Sequence, residues 1–229
     1  MNVSLIINST NHEIMKKFAV VLAGCGVSDG AEIHEATLTM LAIMKNGATY
    51  EIFAPDIEQY HVINHFTGKE MPEKRNVLVE SARIARGRIK PLNSFDASSF
   101  DALIFPGGFG VAKNLCTFAF DGAGCEVNTQ VASAVKAMAE SGKPIGALCI
   151  SPVILAKLLG DVEITIGDDT GTAKAVEKMG AMHRNTSHGQ VVEDKKHNIF
   201  TTPCYMLEAS ILDIEEGTDN IVKAMLKRM

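Results

Sequence analysis

The chain has 229 residues, of which 46% are hydrophobic, and carries a formal net charge of −5. That is enough apolar material for one sizeable core in a single α/β domain. The acidic balance argues against a nucleic-acid partner, and no apolar stretch approaches the roughly 18 residues of a membrane span.

Residues 1–14 precede Met15-Lys16-Lys17-Phe18, where two lysines lead straight into an apolar run. They are expected to form an N-terminal extension outside the core; the alternative is an edge strand from Val3 to Ile7. Phe18 to Ala23 is continuously apolar, as a strand buried on both faces requires. The glycine-rich turn Gly24-Cys25-Gly26-Val27-Ser28-Asp29-Gly30 follows. A helix comes next, in which Ile33, Ala36, Thr37, Met40, Leu41 and Met44 keep the 3.6-residue period and Gly47 marks the end. Thr49 to Ala54 is a second strand. From Ile57 to Ser99 the pattern weakens. Glu73 to Ala85 has helical spacing behind Pro72, the rest is polar loop, and Arg83, Arg86, Arg88 and Lys90 make a solvated basic face.

Ala102 to Phe105 is a third strand, running into Pro106-Gly107-Gly108-Phe109-Gly110, and Asn128 to Ser141 is a helix. Pro144 to Leu148 is a buried strand that stops at Cys149. Pro152 then sits in the first turn of the next apolar helix, where its missing N–H costs nothing. Glu163 to Ile166 is a short strand, and Asp168-Asp169-Thr170 resembles the cap of a helix from Thr172 to Met179. Gln190 to Glu193 and Asn198 to Thr202 alternate as a hairpin, and Tyr205 to Leu226 is a long terminal helix interrupted near Gly217.

Strands alternating with helices predict a mostly parallel central sheet with helices on both faces. Ligands bind such sheets outside the carboxyl ends of the strands. Three turns fall there, 24–30, 106–110 and 149–151, and they define the expected site. Strand, abrupt turn and helix around Cys149 make a nucleophile elbow, with a helix N-terminus that lowers a thiol pKa. Cys25 and Cys204 also end strands and are the rivals. Five cysteines at irregular spacing form no disulfide framework, and no basic n-region or cleavage site follows Met1, so a reducing, cytoplasmic setting is expected. There is no CxxC and no HxxxH, so no metal is expected.

Gly107 and Gly108, with the N–H of Ile150, supply backbone donors for a developing oxyanion. Glu32 and Glu35 lie three apart at the start of the first helix and share a face. In a low-dielectric cleft one of them would hold its proton and serve Cys149 as acid and base; otherwise both simply favour the helix N-terminus. His34 points elsewhere on the same helix. Gly24, Gly26 and Gly30 approach the GxGxxG of dinucleotide sites, but the third glycine is one residue late and Asp29 would repel a pyrophosphate.

Taken together, GCGVSDGAEIHEA at 24–36, VINHFTG at 62–68, RNVLVESARIARG at 75–87, FPGGFGVAKNL at 105–115, GALCISP at 146–152 and TTPCYML at 201–207 resemble the class I glutamine amidotransferase-like superfamily. They resemble the branch with the PfpI proteases and, within it, the ElbB (enhancing lycopene biosynthesis protein) family. The resemblance covers residues 15 to about 227 as one domain. It implies a flavodoxin-like three-layer sandwich, Cys149 as nucleophile, and Glu35 as the glutamate beside it, with Glu32 as second choice. It further implies a substrate pocket touching Cys25, His65 and Asn114, a homodimer, and no cofactor. The implied reaction converts glyoxal or methylglyoxal to a hydroxy acid, or repairs glycated groups; a regulatory protein without activity is the alternative. Ile150 stands where related proteases have a histidine, and Ala147 and Ser151 where amidotransferases have glycines, so proteolysis and glutamine hydrolysis are not expected.

Overall fold

The structure is a computed structural model that describes residues 15–229, so the extension expected at 1–14 lies outside the described residues. The elements in chain order are β1 (Lys17–Val21), α1 (Ile33–Lys45), β2 (Thr49–Ala54), β3 (Ile63–Asn64), β4 (Lys69–Glu70), α2 (Val77–Ile84), β5 (Lys90–Pro91), β6 (Ala102–Phe105), α3 (Phe118–Asp121), α4 (Thr129–Glu140), β7 (Ile145–Leu148), α5 (Pro152–Leu159), β8 (Glu163–Ile164), α6 (Thr170–Lys178), β9 (Met182–His183), β10 (Val192–Asp194), β11 (Ile199–Thr202) and α7 (Ile211–Leu226). Seven strands form one sheet in the order β10-β11-β7-β6-β1-β2-β5. All neighbours are parallel except β10, which returns antiparallel to β11 as the expected hairpin. Helices cover both faces, and the fold is the expected mostly parallel, flavodoxin-like α/β sandwich.

The central strands are apolar throughout because both of their faces are covered. Phe18, Phe53, Phe105 and Phe200 are among the largest fully buried side chains, each contributing about 1.5–3 kcal/mol of burial. The register Val20↔Ile52 on one side of β1 and Val20↔Ile104 on the other layers these residues across the sheet. Chain order matters as much as pattern. From β1 the chain moves outward to β2 and β5, then crosses back to lay β6 on the other side of β1. That reversal is a switch point, where the strand ends splay open.

Several elements depart from the sequence reading. Asn76, whose side chain accepts the Val79 N–H, starts α2 four residues after Pro72, the expected start signal. The 57–99 region also holds the β3–β4 hairpin and the edge strand β5, both too short to show a period. Of the stripe expected to bury α1 only Ala36 and Met40 are buried; Ile33, Thr37, Leu41 and Met44 are exposed. The buried face instead runs through Glu35, Ala36, Thr39, Met40, Ala42 and Ile43, because α1 must pack on α7 as well as on the sheet. The terminal helix starts at Ile211, behind a Ser210–Asp213 capping box, and Gly217 does not interrupt it. A Cβ on Gly217 would lie 3.4 Å from the Cys204 sulfur, so a small residue there lets the helix sit close to the turn after β11. Among the described residues no helix is long and apolar enough to cross a membrane.

Candidate active site

With β6 lying between β1 and β7, the three expected turns meet at one edge of the sheet, and β11 brings a fourth, 203–205, beside Cys149. Cys149 has φ +58°, a left-handed conformation that costs a residue with a Cβ about 1–3 kcal/mol. Its neighbours impose it. The Cys149 N–H donates to Thr202 O at 3.0 Å, the Ser151 N–H to Leu148 O at 2.9 Å, and the Ser151 hydroxyl to Pro106 O at 2.8 Å. The last bond ties the elbow to the 106–110 turn. The side chain of Cys149 is thereby lifted off the strand end toward α1.

Glu35 meets it there, wholly buried. Its Oε2 accepts the Gly107 N–H at 2.8 Å and its Oε1 the Tyr205 N–H at 3.2 Å, and the carboxyl hydrogen-bonds the Cys149 sulfur. The backbone N–H groups of Gly108 and Ile150 point at the same sulfur. Glu32 is elsewhere: it caps α1, accepting the Glu35 N–H at 2.7 Å, while its own N–H donates to Gly107 O at 2.9 Å. Of the two glutamates it is Glu35 that touches Cys149, while Glu32 caps the helix that carries Glu35. Gly107 also needs correcting. Its N–H is spent on Glu35, which leaves Gly108 and Ile150 as the donors facing the reacting atom.

The electrostatics of this pair correct a second expectation. Burial pushes the Glu35 carboxyl up to about 7, with the Glu32 charge adding to the effect and the Tyr205 and Gly107 N–H groups opposing it. Burial likewise pushes the Cys149 thiol well above its ordinary value, and the Glu35 charge pushes the same way, against the N–H groups of Gly108 and Ile150. A helix N-terminus alone does not make this thiol acidic, because desolvation outweighs it. What the site holds is two acids that cannot both ionise. Below pH 7 the pair has two protons; above it, one proton is shared between oxygen and sulfur. Cys149 alkylation by iodoacetamide should therefore rise through an inflection near pH 7. In Glu35→Gln that inflection should move above the ordinary thiol value; an unchanged inflection would mean that Glu35 does not take the thiol proton.

The other expected residues have other duties. Asn114 is buried with its polar atoms engaged: Nδ2 donates to Ala23 O and Asp29 O, both at 2.9 Å, and Oδ1 accepts the Tyr60 N–H. It pins the 24–30 turn, with both of its N–H bonds spent on backbone carbonyls. His65 packs on Gly26, its Nε2 accepting the Ser28 N–H at 3.2 Å while Nδ1–H donates to Ile63 O at 3.0 Å. Cys25 sits in the same turn, and burial, then Glu80, raises its thiol. The structure thus gathers Cys25, His65 and Asn114 around the first glycine turn and not around Cys149.

The glycines of that turn serve packing. A Cβ on Gly30 would stand 2.2 Å from the Cys25 nitrogen, and one on Gly108 would stand 2.4 Å from Gly30 O. Two loops meet backbone to backbone, and no room remains for a pyrophosphate. Sequence reasoning missed Tyr205. Its N–H reaches Glu35 because Cys204 before it adopts φ +43°, and its hydroxyl hydrogen-bonds His34 Nδ1 at 2.8 Å. The available signal was Pro203 at the end of a strand beside the elbow strand. A groove of about 1010 Å³ between α1, β2 and the end of α2 contains none of these residues.

The profile of the DJ-1/PfpI family matches residues 26–203. The chain is 45% identical over 221 residues to human glutamine amidotransferase-like class 1 domain-containing protein 3, mitochondrial, covering 92% of this chain and 82% of that protein. It is 36% identical to the zebrafish ES1 protein, mitochondrial, over 91% of this chain and 84% of that one. Among solved structures, an isoprenoid biosynthesis protein with an amidotransferase-like domain from Ehrlichia chaffeensis superposes with a TM-score of 0.87 at 37% identity, covering 93% and 98% of the two chains. Drosophila melanogaster DJ-1beta, at 16% identity and a TM-score of 0.55 over 93% and 91%, shares the fold.

Proposed function

The chain belongs to the DJ-1/PfpI family, and from that premise we propose that it is a cofactor-independent glyoxalase or deglycase that acts on small dicarbonyls through Cys149. Within the family we assign it to the ElbB-like members, a reading supported by the Ehrlichia relative. The observation that carries the proposal is one arrangement: a buried carboxyl titrating near 7 in hydrogen-bond contact with a cysteine whose sulfur two backbone N–H groups face.

The chemistry follows from those groups. Glu35 carboxylate takes the thiol proton as the sulfur adds to an aldehyde carbon. The carbonyl π electrons move to oxygen, where the N–H groups of Gly108 and Ile150 receive the charge. Glu35 passes the proton it took from the thiol to the hemithioacetal oxygen and is a carboxylate again. Glu35 then removes the hydrogen from the former aldehyde carbon and returns a proton to the adjacent carbonyl carbon, through an enediol. The product is a thioester of the hydroxy acid. Water cleaves it, releasing the acid and restoring the Cys149 thiol. No redox partner is needed, because one carbon is oxidised as its neighbour is reduced.

Cys149→Ala should lower glyoxal or methylglyoxal consumption by about 10³-fold or more, with circular dichroism unchanged, measured on purified protein without added cofactor. A wild type that consumes no dicarbonyl, or a variant that equals it, sinks the enzyme reading. The same result would favour the second reading, a regulatory protein linked to isoprenoid biosynthesis, the process for which the Ehrlichia relative is named. As partners we propose the small dicarbonyl and a second copy of the chain; sedimentation showing only monomer rejects the latter. We place the protein in the cytoplasm or, as its relatives' names indicate for them, in the mitochondrion.

A further inference from the structure

Two cysteines outside the Cys149 site form a cluster of their own. Cys116 ends the helical turn Val111–Leu115 that continues from Gly108 and Gly110, and Cys125 follows the tight turn Gly122–Gly124. The backbone between them folds back on itself. Cys116 pairs antiparallel with Val127, the Thr117 N–H donates to Glu126 O at 2.9 Å, and the Asn128 N–H donates to Leu115 O at 2.9 Å. Side chains alternate along a strand, so Cys125, two residues before Val127, lies on the same face as Cys116 and diagonally across from it. The two side chains are close enough to interact, while the Cys116 thiol itself donates to Val111 O at 3.3 Å.

Neither thiol belongs to the proposed mechanism, and neither is a lone buried hydrophobe. Both are buried, but the cover over Cys125 is thin: Gly124 and Glu126, its chain neighbours, are exposed. The Lys157 ammonium donates to Ala123 O at 3.3 Å and holds a positive charge beside the turn. The neighbouring Cys116 thiol, and after it the Lys157 charge, hold the Cys125 thiol down at about 7 against the effect of burial, while the same contact pushes Cys116 up. One sulfur is thus prepared to lose its proton and the other to keep it, as in a pair with an attacking and a resolving thiol. Glycines at 122 and 124 let the turn give as the sulfurs close from contact to bonding distance.

We propose that Cys125 and Cys116 are a peroxide-reactive dithiol that closes to an intramolecular disulfide. In the first step the Cys125 thiolate attacks one oxygen of hydrogen peroxide. An S–O bond forms, the O–O bond breaks, and the departing hydroxide takes a proton to become water. In the second step Cys116 gives up its proton and its sulfur attacks the Cys125 sulfenic acid. The S–S bond forms and the S–O bond breaks, releasing a second water. Two thiols lose two electrons and one peroxide gains them. The bond would clamp the 116–125 segment, which carries Phe120 with its ring 4.2 Å from that of Tyr60 at a tilt of 33°, at the far end of the helical turn that begins beside the Gly108 donor.

The test treats the purified full-length chain with hydrogen peroxide, unfolds it, blocks free thiols with iodoacetamide and digests it with trypsin. Both cysteines fall in one peptide, 114–136, with no internal Lys or Arg. The expected peptide is lighter by two hydrogens, carries no alkyl group, and accepts two after reduction. In Cys116→Ser the same peptide should gain oxygen on Cys125 instead. In Cys125→Ser, Cys116 should stay alkylatable at the dose that closes the wild type. A wild-type peptide that still takes two alkyl groups at a dose that has already oxidised Cys149 overturns the proposal. So does a disulfide from Cys125 to any other cysteine.

Discussion

At pH 8, Glu35→Gln should lose nearly all dicarbonyl turnover, about 10³–10⁴-fold, and yet melt above the wild type. The activity loss follows from chemistry: an amide cannot take the Cys149 proton or carry one between adjacent carbons. The stability gain follows from linkage. Glu35 has an ordinary carboxyl value of 4.5 when unfolded and about 7 when folded. Between those values the unfolded chain has released the proton and the folded chain still holds it, so stability falls as pH rises across that window. At 1.36 kcal/mol per pH unit the loss is about 3 kcal/mol once pH passes 7.

Gln never ionises and escapes this loss, but it places an NH₂ against one of the two N–H donors, Gly107 or Tyr205, at a cost of about 1–3 kcal/mol. The variant should therefore be the less stable protein at pH 5 and the more stable one at pH 8. For a chain of this size the swing in relative melting temperature should be about 6–12 °C. A melting difference that does not change with pH would mean that Glu35 titrates normally, and the acid–base role would fall with it.

Gly108→Ala should cost about 2–5 kcal/mol of stability and most of the activity. Gly108 has φ +102°, where any side chain is strained, and a Cβ there would stand 2.4 Å from both Gly30 O and the Glu32 nitrogen. The strain is worth about 1–2 kcal/mol and the overpacking about 1–3 kcal/mol. The clash is with backbone, which has no rotamer to change. Relief requires the 24–30 turn and the start of α1 to move, and Glu35 would move with them. Gly68→Ala is the control: φ is +68° and nothing lies within 4 Å, so only the strain applies. Equal losses at the two positions in a chemical denaturation series would show that the two loops do not meet as described.

The architecture and the elbow were legible in the sequence because their causes are local. An apolar run, a cysteine and a proline in the next turn lie within ten residues, and alternation of strand and helix needs no long-range information. The three turns were likewise named from strand ends alone. What the tertiary structure decided depends on bonds between residues far apart in the chain. Glu35 meets the Gly107 N–H 72 residues away and the Tyr205 N–H 170 residues away, so neither the choice over Glu32 nor the loss of Gly107 as a free donor has a local signature. Strand order, with β6 laid beside β1 after an excursion to β5, brought the turns together. The direction of the Cys149 shift had the same origin. A helix N-terminus is visible in sequence, but the desolvation that outweighs it is set by how many other elements close over the sulfur, and only the folded chain fixes that.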